Sequence, residues 1–76
     1  MSEAEWLEIF SDNLRDLMNE QGYNQEQLSE TTGLSQGTIS NYLNKKRLPS
    51  VKALVNICYE LNLSFDDLMD FGSRID

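Results

Sequence analysis

The chain has 76 residues, of which 39% are hydrophobic, and its formal net charge at pH 7 is −7. A chain of this length buries only about 60% of the surface that it exposes when unfolded, so residues 1–76 are predicted to form a single small domain. The sequence has no apolar run near the roughly 20 residues of a membrane span, and its N-terminus is acidic where a signal peptide is basic. These features predict a cytoplasmic protein that does not enter a membrane.

Several residue types that carry enzyme and metal chemistry are missing. The sequence has one cysteine, Cys58, and no histidine, which excludes an internal disulfide and the usual zinc sites. The commonest general base is therefore absent, and no nucleophile lies in a recognisable local signature. The sequence predicts no catalytic site, no metal and no cofactor, and Cys58 is interpreted as a small core residue.

The charges are distributed unevenly along the chain. Residues 1–30 contain eight acidic residues and one basic residue, Arg15, whereas residues 31–52 contain four basic residues and no acid. Residues 53–76 contain five acids and one base. A basic cluster is often only a solvated face, so its meaning depends on the elements around it.

The first two predicted helices follow from apolar spacing and capping residues. From residue 4 to about residue 21, apolar side chains recur at steps of three and four residues, and Gly22 ends the pattern. The apolar residues are Leu7, Phe10, Leu14, Leu17 and Met18. Asn24, followed three residues later by Gln27, matches a capping box and predicts a short second helix that stops at Gly33.

Three more helices are predicted in the second half of the chain. Ser35 is a favourable N-cap for a helix over residues 36 to about 44, with Ile39, Tyr42 and Leu43 turned inward. Pro49 breaks the chain, and Ser50 caps a fourth helix. Its predicted buried stripe consists of Val51, Leu54, Val55, Cys58 and Leu61.

A last capping pattern, Ser64 with Asp67, predicts a short fifth helix that ends near Phe71 and Gly72. No segment alternates with the period of a strand, and nothing repeats. The predicted fold is therefore all-α, with five helices.

Four short motifs occur at informative spacings. They are Gln25-Glu26-Gln27-Leu28, Thr32-Gly33-Leu34-Ser35, Thr38-Ile39-Ser40 and Lys46-Arg47-Leu48-Pro49-Ser50. At these spacings the chain resembles the lambda-repressor-like (Xre/Cro) helix-turn-helix family over about residues 10–69, which leaves residues 70–76 as a C-terminal tail. The resemblance implies that helices 2 and 3 form the helix-turn-helix and that helix 3 lies in the DNA major groove. The acid-free segment then has a physical reason, because a carboxylate facing phosphates would oppose binding.

Carried over residue by residue, the resemblance implies base contacts by Gln36, Gly37 and Asn41, with Thr38 and Ser40 flanking the same face. Gln36 and Asn41 could each hydrogen-bond the N6 and N7 atoms of adenine, although both are also explicable as solvent-facing polar residues. The two hydroxyls could instead bond back to their own helix. Phosphate contacts are implied for the start of helix 2 and for the loop after helix 3: Asn24, Gln25, Asn44, Lys45, Lys46 and Arg47.

The sequence departs from the family pattern at three places. Relatives usually have glycine at position 45 to end helix 3 with a positive φ, so Asn44 is expected to take the left-handed conformation here instead. At Gly37, where relatives carry a side chain, either the groove is approached closely or one base pair goes largely unread. Met18 and Leu43 replace a buried Arg–Glu pair of many relatives and are predicted to meet in the core.

Large apolar residues outside the main stripes allow two interpretations. Trp6, Ile9, Phe71 and Ile75 either close over the core or form a subunit interface, for which aromatic anchors are typical. Trp6, Phe71 and Ile75 are the candidates for such an interface. A homodimer would place two copies of helix 3 about 34 Å apart on DNA.

Together these observations predict a small transcriptional regulator of the phage-repressor type. It would bind a double-stranded DNA operator, an inverted repeat, as a homodimer. The alternative is an antitoxin-like protein-interaction module, in which the acidic helices bind a basic protein partner and the helix-turn-helix mainly regulates its own gene.

Overall fold

The structure, a computed structural model, describes residues 2–69. These residues form five α-helices and no strand, which confirms the predicted all-α class. The helices are α1 (Glu3–Gln21), α2 (Gln25–Thr32), α3 (Gln36–Leu43), α4 (Val51–Leu61) and α5 (Phe65–Leu68). None of these helices combines the length and the hydrophobicity that crossing a membrane requires. The fifth helix ends at Leu68 with Met69 as its C-cap, which is earlier than the predicted end near Phe71 and Gly72. Phe71, Gly72 and Ile75 themselves lie outside the described residues.

Side-chain caps explain where the helices begin. The side-chain oxygen of Asn24 accepts a hydrogen bond from the Gln27 amide at 2.8 Å, and the Gln27 side chain accepts one from the Asn24 amide at 3.0 Å. The predicted capping box of α2 is therefore present. The hydroxyls of Ser35, Ser50 and Ser64 likewise accept hydrogen bonds from the amide three residues further on. Each of these caps satisfies an amide that has no partner inside its own helix.

One face of α1 holds α3 in place. Phe10 and Leu14 are fully buried there, and the Phe10 and Tyr42 rings meet edge-on, with their centroids 5.8 Å apart. The buried Ser11 hydroxyl donates a hydrogen bond to the main-chain carbonyl of Tyr42. Full burial of a side chain such as Phe10 contributes about 1.5–3 kcal/mol to stability. These contacts fix the position of α3 on α1.

Met18 and Trp6 of α1 and Leu43 of α3 all pack in or against the core. Met18 and Leu43 are 4% and 6% exposed, belong to one core cluster and line the same cavity of about 250 Å³. Both side chains therefore lie in the apolar core, and direct contact between them stays a prediction. Trp6 is half-buried and stacks on Phe10, with the ring centroids 5.7 Å apart and the planes at 11°. This packing favours the interpretation that Trp6 closes over the core.

The end of α3 corrects the expectation for its turn. Asn44 has φ −92° and ψ 8°, and it is Lys45 that is left-handed, with φ +62°. The amides of Lys46 and Lys45 donate to the carbonyls of Asn41 at 2.8 Å and Tyr42 at 3.2 Å. This is a Schellman motif, in which the residue after the C-cap must be left-handed for both amides to point back to the helix. Asn44 is the cap itself, so the positive φ falls on the next residue.

The buried stripe of α4 differs from the predicted one. Leu54 and Leu61 are buried, but Val51 and Val55 are 78% and 60% exposed and Cys58 is only half-buried. Their places in the core are taken by Ala53 and Ile57. Apolar residues occur around most of this helix, so periodicity alone permits more than one stripe. Packing against α1, α2 and α5 decides which side of α4 is buried.

Replacing Lys45 with glycine is expected to stabilise the fold. The left-handed conformation costs a residue with a side chain about 1–2 kcal/mol, whereas glycine adopts it freely. The exposed ion pair of Lys45 with Asp12, 3.2 Å between Nζ and Oδ1, offsets less than about 1 kcal/mol of that gain. The expected net increase in the free energy of unfolding is about 0.5–1 kcal/mol, measured by urea denaturation.

Lys46→Gly is the matched control, because it removes the same charge at the neighbouring position, where φ is not positive. It is expected to lower the free energy of unfolding. A Lys45→Gly protein no more stable than Lys46→Gly would contradict the strain assigned to Lys45.

Candidate nucleic-acid interface

Local bonds and core contacts fix the turn between α2 and α3. Gly33 ends α2 with φ +76°, and its amide donates to the Ser29 carbonyl at 3.0 Å. The Ser29 hydroxyl then donates to the Leu34 carbonyl across the turn at 2.6 Å. Leu28 of α2 and Ile39 of α3 are both fully buried in the shared core. The two helices are therefore held in one relative orientation.

The outer face of α3 presents two amide side chains without protein partners. Gln36 is exposed and Asn41 is half-exposed, and neither side chain forms a hydrogen bond within residues 2–69. Five steps along the helix separate their Cα atoms by about 7.5 Å in the direction of the α3 axis. A Gln or Asn amide presents a donor and an acceptor side by side, as bidentate contact with adenine requires.

The loop after α3 carries positive charge at the edge of this face. Lys46 and Arg47 are exposed and form no ion pair with any residue in the described range, whereas Lys45 is paired with Asp12 of α1. Burial raises the pKa of the Tyr42 phenol, and the charge of the nearby Arg47 partly opposes that rise. Two cations of the loop are thus open to an external anion.

The start of α2 lies at exposed positions. The Asn24 side chain is used in the capping box, while the Gln25 side chain makes no hydrogen bond with the rest of residues 2–69. The N-terminal end of a helix carries a partial positive charge that favours phosphate. Gln25 is therefore the more available of the two side chains.

Comparison with known proteins shows the family. The helix-turn-helix family model HTH_3 matches residues 14–68, which is more than half of the chain. The chain belongs to this helix-turn-helix family. Its members are transcriptional regulators that bind double-stranded DNA.

Two solved structures share the fold of this helix-turn-helix protein. An HTH_3 family transcriptional regulator from Vibrio cholerae matches 97% of this chain with a TM-score of 0.88 and 16% identity, and this chain spans 42% of that one. The restriction-modification controller protein C.AhdI from Aeromonas hydrophila matches 82% of this chain and 94% of its own, with a TM-score of 0.78 and 24% identity. At these identities the likeness shows the fold alone. The comparison with curated proteins gave no match.

The hydroxyls of Thr38 and Ser40, which flank the outer face of α3, have local partners. The Ser35 hydroxyl donates to the Thr38 hydroxyl at 2.8 Å, and the Asn44 side-chain amide donates to the Ser40 hydroxyl at 3.1 Å. Thr38 and Ser40 are also only half-exposed. Local bonding is therefore the better supported interpretation for both, and Asn44 is partly used inside the protein as well.

Two features of the described residues were missed by sequence reasoning. Arg15 lines the 250 Å³ cavity together with Asn24 and Gln25, and it donates a hydrogen bond to the Leu43 carbonyl. Its sequence signal was its position as the single basic residue among eight acids in residues 1–30. The other missed feature is the exposed apolar side of α4, which the helical period did not distinguish from the buried side.

Gly37 is not required by the fold. Its φ is not positive, and the nearest atom that an added Cβ would meet is the Ser35 hydroxyl oxygen at 3.9 Å, an ordinary contact distance. Glycine nevertheless destabilises a helix by about 0.5–1 kcal/mol relative to alanine. The fold therefore gives no steric reason for glycine here, and close approach to the groove or an unread base pair both stay open.

Gly37→Ala is expected to stabilise the free protein by about 0.5–1 kcal/mol, because alanine restricts the unfolded chain and fits the helix. The same substitution is expected to weaken DNA binding, since the added methyl group would hold α3 away from the groove. Thermal unfolding and fluorescence anisotropy with labelled duplex measure the two effects. Unchanged or tighter binding by the stabilised protein would show instead that this position goes unread.

Proposed function

We propose that the protein is a cytoplasmic, sequence-specific transcriptional regulator of the phage-repressor type, which binds an inverted DNA repeat as a homodimer. The observation that carries the proposal is the outer face of α3, where Gln36 and Asn41 have no partners within the described residues, beside the cations Lys46 and Arg47. The two amides would read bases, and the two cations with Gln25 would bind phosphates. Occupying the operator would block access of the polymerase.

The charge distribution supports binding through this one surface. The chain carries −7 overall, so most of its surface repels DNA. At 0.15 M salt the Debye length is about 8 Å, and charges further away from the phosphates are largely screened. Residues 31–59, which contain α3 and its loop, include no acid. The local positive surface can thus act although the whole molecule is acidic.

A homodimer needs an apolar surface, and the side of α4 that faces solvent offers one. Val51, Val55 and Phe65 are 78%, 60% and 53% exposed. With Leu54 and Cys58 they line a groove of about 300 Å³, here called the α4–α5 groove. Trp6, by contrast, is engaged with the core, and the predicted contributions of Phe71 and Ile75 fall outside the described residues.

The lining of the groove also suits pairing with a second copy, because none of its five residues is charged. In a two-fold symmetric dimer the same patch is used twice, so an uncharged apolar lining brings no like charges together. We infer that the α4–α5 groove is the dimer interface.

Val55→Glu is expected to shift the protein towards monomer, because a carboxylate buried in an apolar interface loses its hydration without gaining a partner. Val55 is 60% exposed, so the fold should tolerate the change. Sedimentation equilibrium over a range of concentrations measures the shift. Ala4→Glu is the control, since it adds the same charge at an exposed position of α1. Equal self-association by the two variants would exclude the groove as the interface.

The proposed function is tested first by selection from random duplex DNA at about 150 mM salt, where weak charge attraction is partly screened. An enriched inverted repeat is the expected result. On that operator, Gln36→Ala should lose about 1–3 kcal/mol of discrimination at one position of each half-site. Lys46→Ala should weaken all sequences alike and flatten the salt dependence by roughly 0.9 for each lost phosphate contact.

Uniform weakening by Gln36→Ala would remove its assigned role in base reading. Selection without enrichment, together with binding that vanishes as salt rises, would count against a sequence-specific regulator. Co-purification with a basic protein would then support the antitoxin-like alternative, in which the exposed acids of α1 bind that protein.

A further inference from the structure

Arg15 is a cation of α1 that has no role in the DNA interface proposed above. Its side chain is exposed, and its Nη2 donates a hydrogen bond to the main-chain carbonyl of Leu43 at 3.1 Å. Leu43 is the last residue of α3. The guanidinium group is thus held at the C-terminal end of the helix that faces the bases.

The space beside Arg15 opens towards the start of α2. A cavity of about 250 Å³ is lined by Arg15, Asn24 and Gln25, with Asn19, Tyr23 and the apolar pair Met18 and Leu43 completing its walls. The first turn of α2 supplies partial positive charge there, and Asn24 spends its side chain on the cap. Arg15 adds a full positive charge to a site where the proposed function already places a DNA phosphate.

Most of the hydrogen-bonding capacity of Arg15 is unused. A guanidinium group has five N–H donors in a planar fork, which matches the geometry of a phosphate. Within residues 2–69, Arg15 makes one hydrogen bond, to Leu43, and no ion pair, although Asp12 and Asp16 lie on the same helix. Four donors therefore remain, and the Leu43 carbonyl limits the orientations of the group.

We propose that Arg15 binds a phosphate of the DNA backbone, together with the first turn of α2, and that its hydrogen bond to Leu43 positions it for that contact. The proposal rests on the proposed DNA-binding function and adds to it a contact from α1. The contact is independent of base sequence, because phosphates carry no sequence information. Arg15 would hold the C-terminal end of α3 against the backbone, and Lys46 and Arg47 would hold the loop that follows it.

The experiment compares the salt dependence of binding to a duplex of arbitrary sequence for wild type, Arg15→Gln and Ala4→Glu. The two variants change the net charge equally, so Ala4→Glu controls for long-range charge. Arg15→Gln is expected to flatten the slope of log K against log salt by about 0.9 for each phosphate contact, which corresponds to roughly tenfold weaker binding at 50 mM salt. Ala4→Glu should keep the wild-type slope.

A slope for Arg15→Gln equal to that of Ala4→Glu would overturn the proposal and leave Arg15 as a structural partner of Leu43. A second measurement uses the wild-type protein and so does not depend on the folding of a variant. In the wild-type protein, the Nε–Hε resonance of Arg15 should shift when the duplex is added, and an unmoved resonance would also overturn the proposal. A flattened slope without any enriched operator would instead refute sequence-specific regulation and retain the Arg15 contact.

Discussion

The packing of α3 against α1 and α2 is the constraint on which the proposed DNA-binding surface depends. α3 has only eight residues, and isolated helices shorter than about 12–15 residues are marginal in water. Its helical state and its orientation therefore come from tertiary contacts, such as Phe10 against the Tyr42 ring, Ser11 against the Tyr42 carbonyl and the packing of α2 along α3. Reading bases requires side chains held to within about 0.5 Å. A loosened α1–α3 contact would therefore spread the positions of Gln36 and Asn41 as well.

The ends of the helices show where the fold accepts strain. α1 and α2 end at glycines with positive φ, whereas α3 and α4 end with Lys45 and Asn62 in the same left-handed conformation. Asparagine tolerates this conformation better than most residues, but lysine does not. At Lys45 a glycine would relieve the backbone and remove a charge from the loop beside α3. Natural proteins often carry such local conflicts at functional sites, which fits the place of this loop in the proposed interface.

The sequence predicts those parts of the fold that depend on local chemistry. Capping residues such as Asn24 and Ser35 act through bonds to the next turn, so they give the helix starts directly. The buried side of α4 is different, because its many apolar residues make Val55 and Ile57 equivalent until α2 and α5 are in place. Arg15 shows the same limit of sequence-based prediction at the candidate site. Its contact with Leu43 joins residues 28 positions apart, and no local pattern announces it.

The acidic residues of the chain reduce the attraction between the proposed interface and DNA. Asp12 pairs with Lys45 at 3.2 Å and so reduces the positive charge that the loop offers to any duplex. Any other acids within about 8 Å of the bound duplex would add repulsion that weakens binding to all sequences alike. A regulator must find its operator among a very large number of competing sites, so low non-specific affinity leaves more protein free to search. Base contacts from Gln36 and Asn41 would then supply the difference in affinity that selects the operator. An acidic body with one small basic surface is therefore a consistent design for sequence-specific binding.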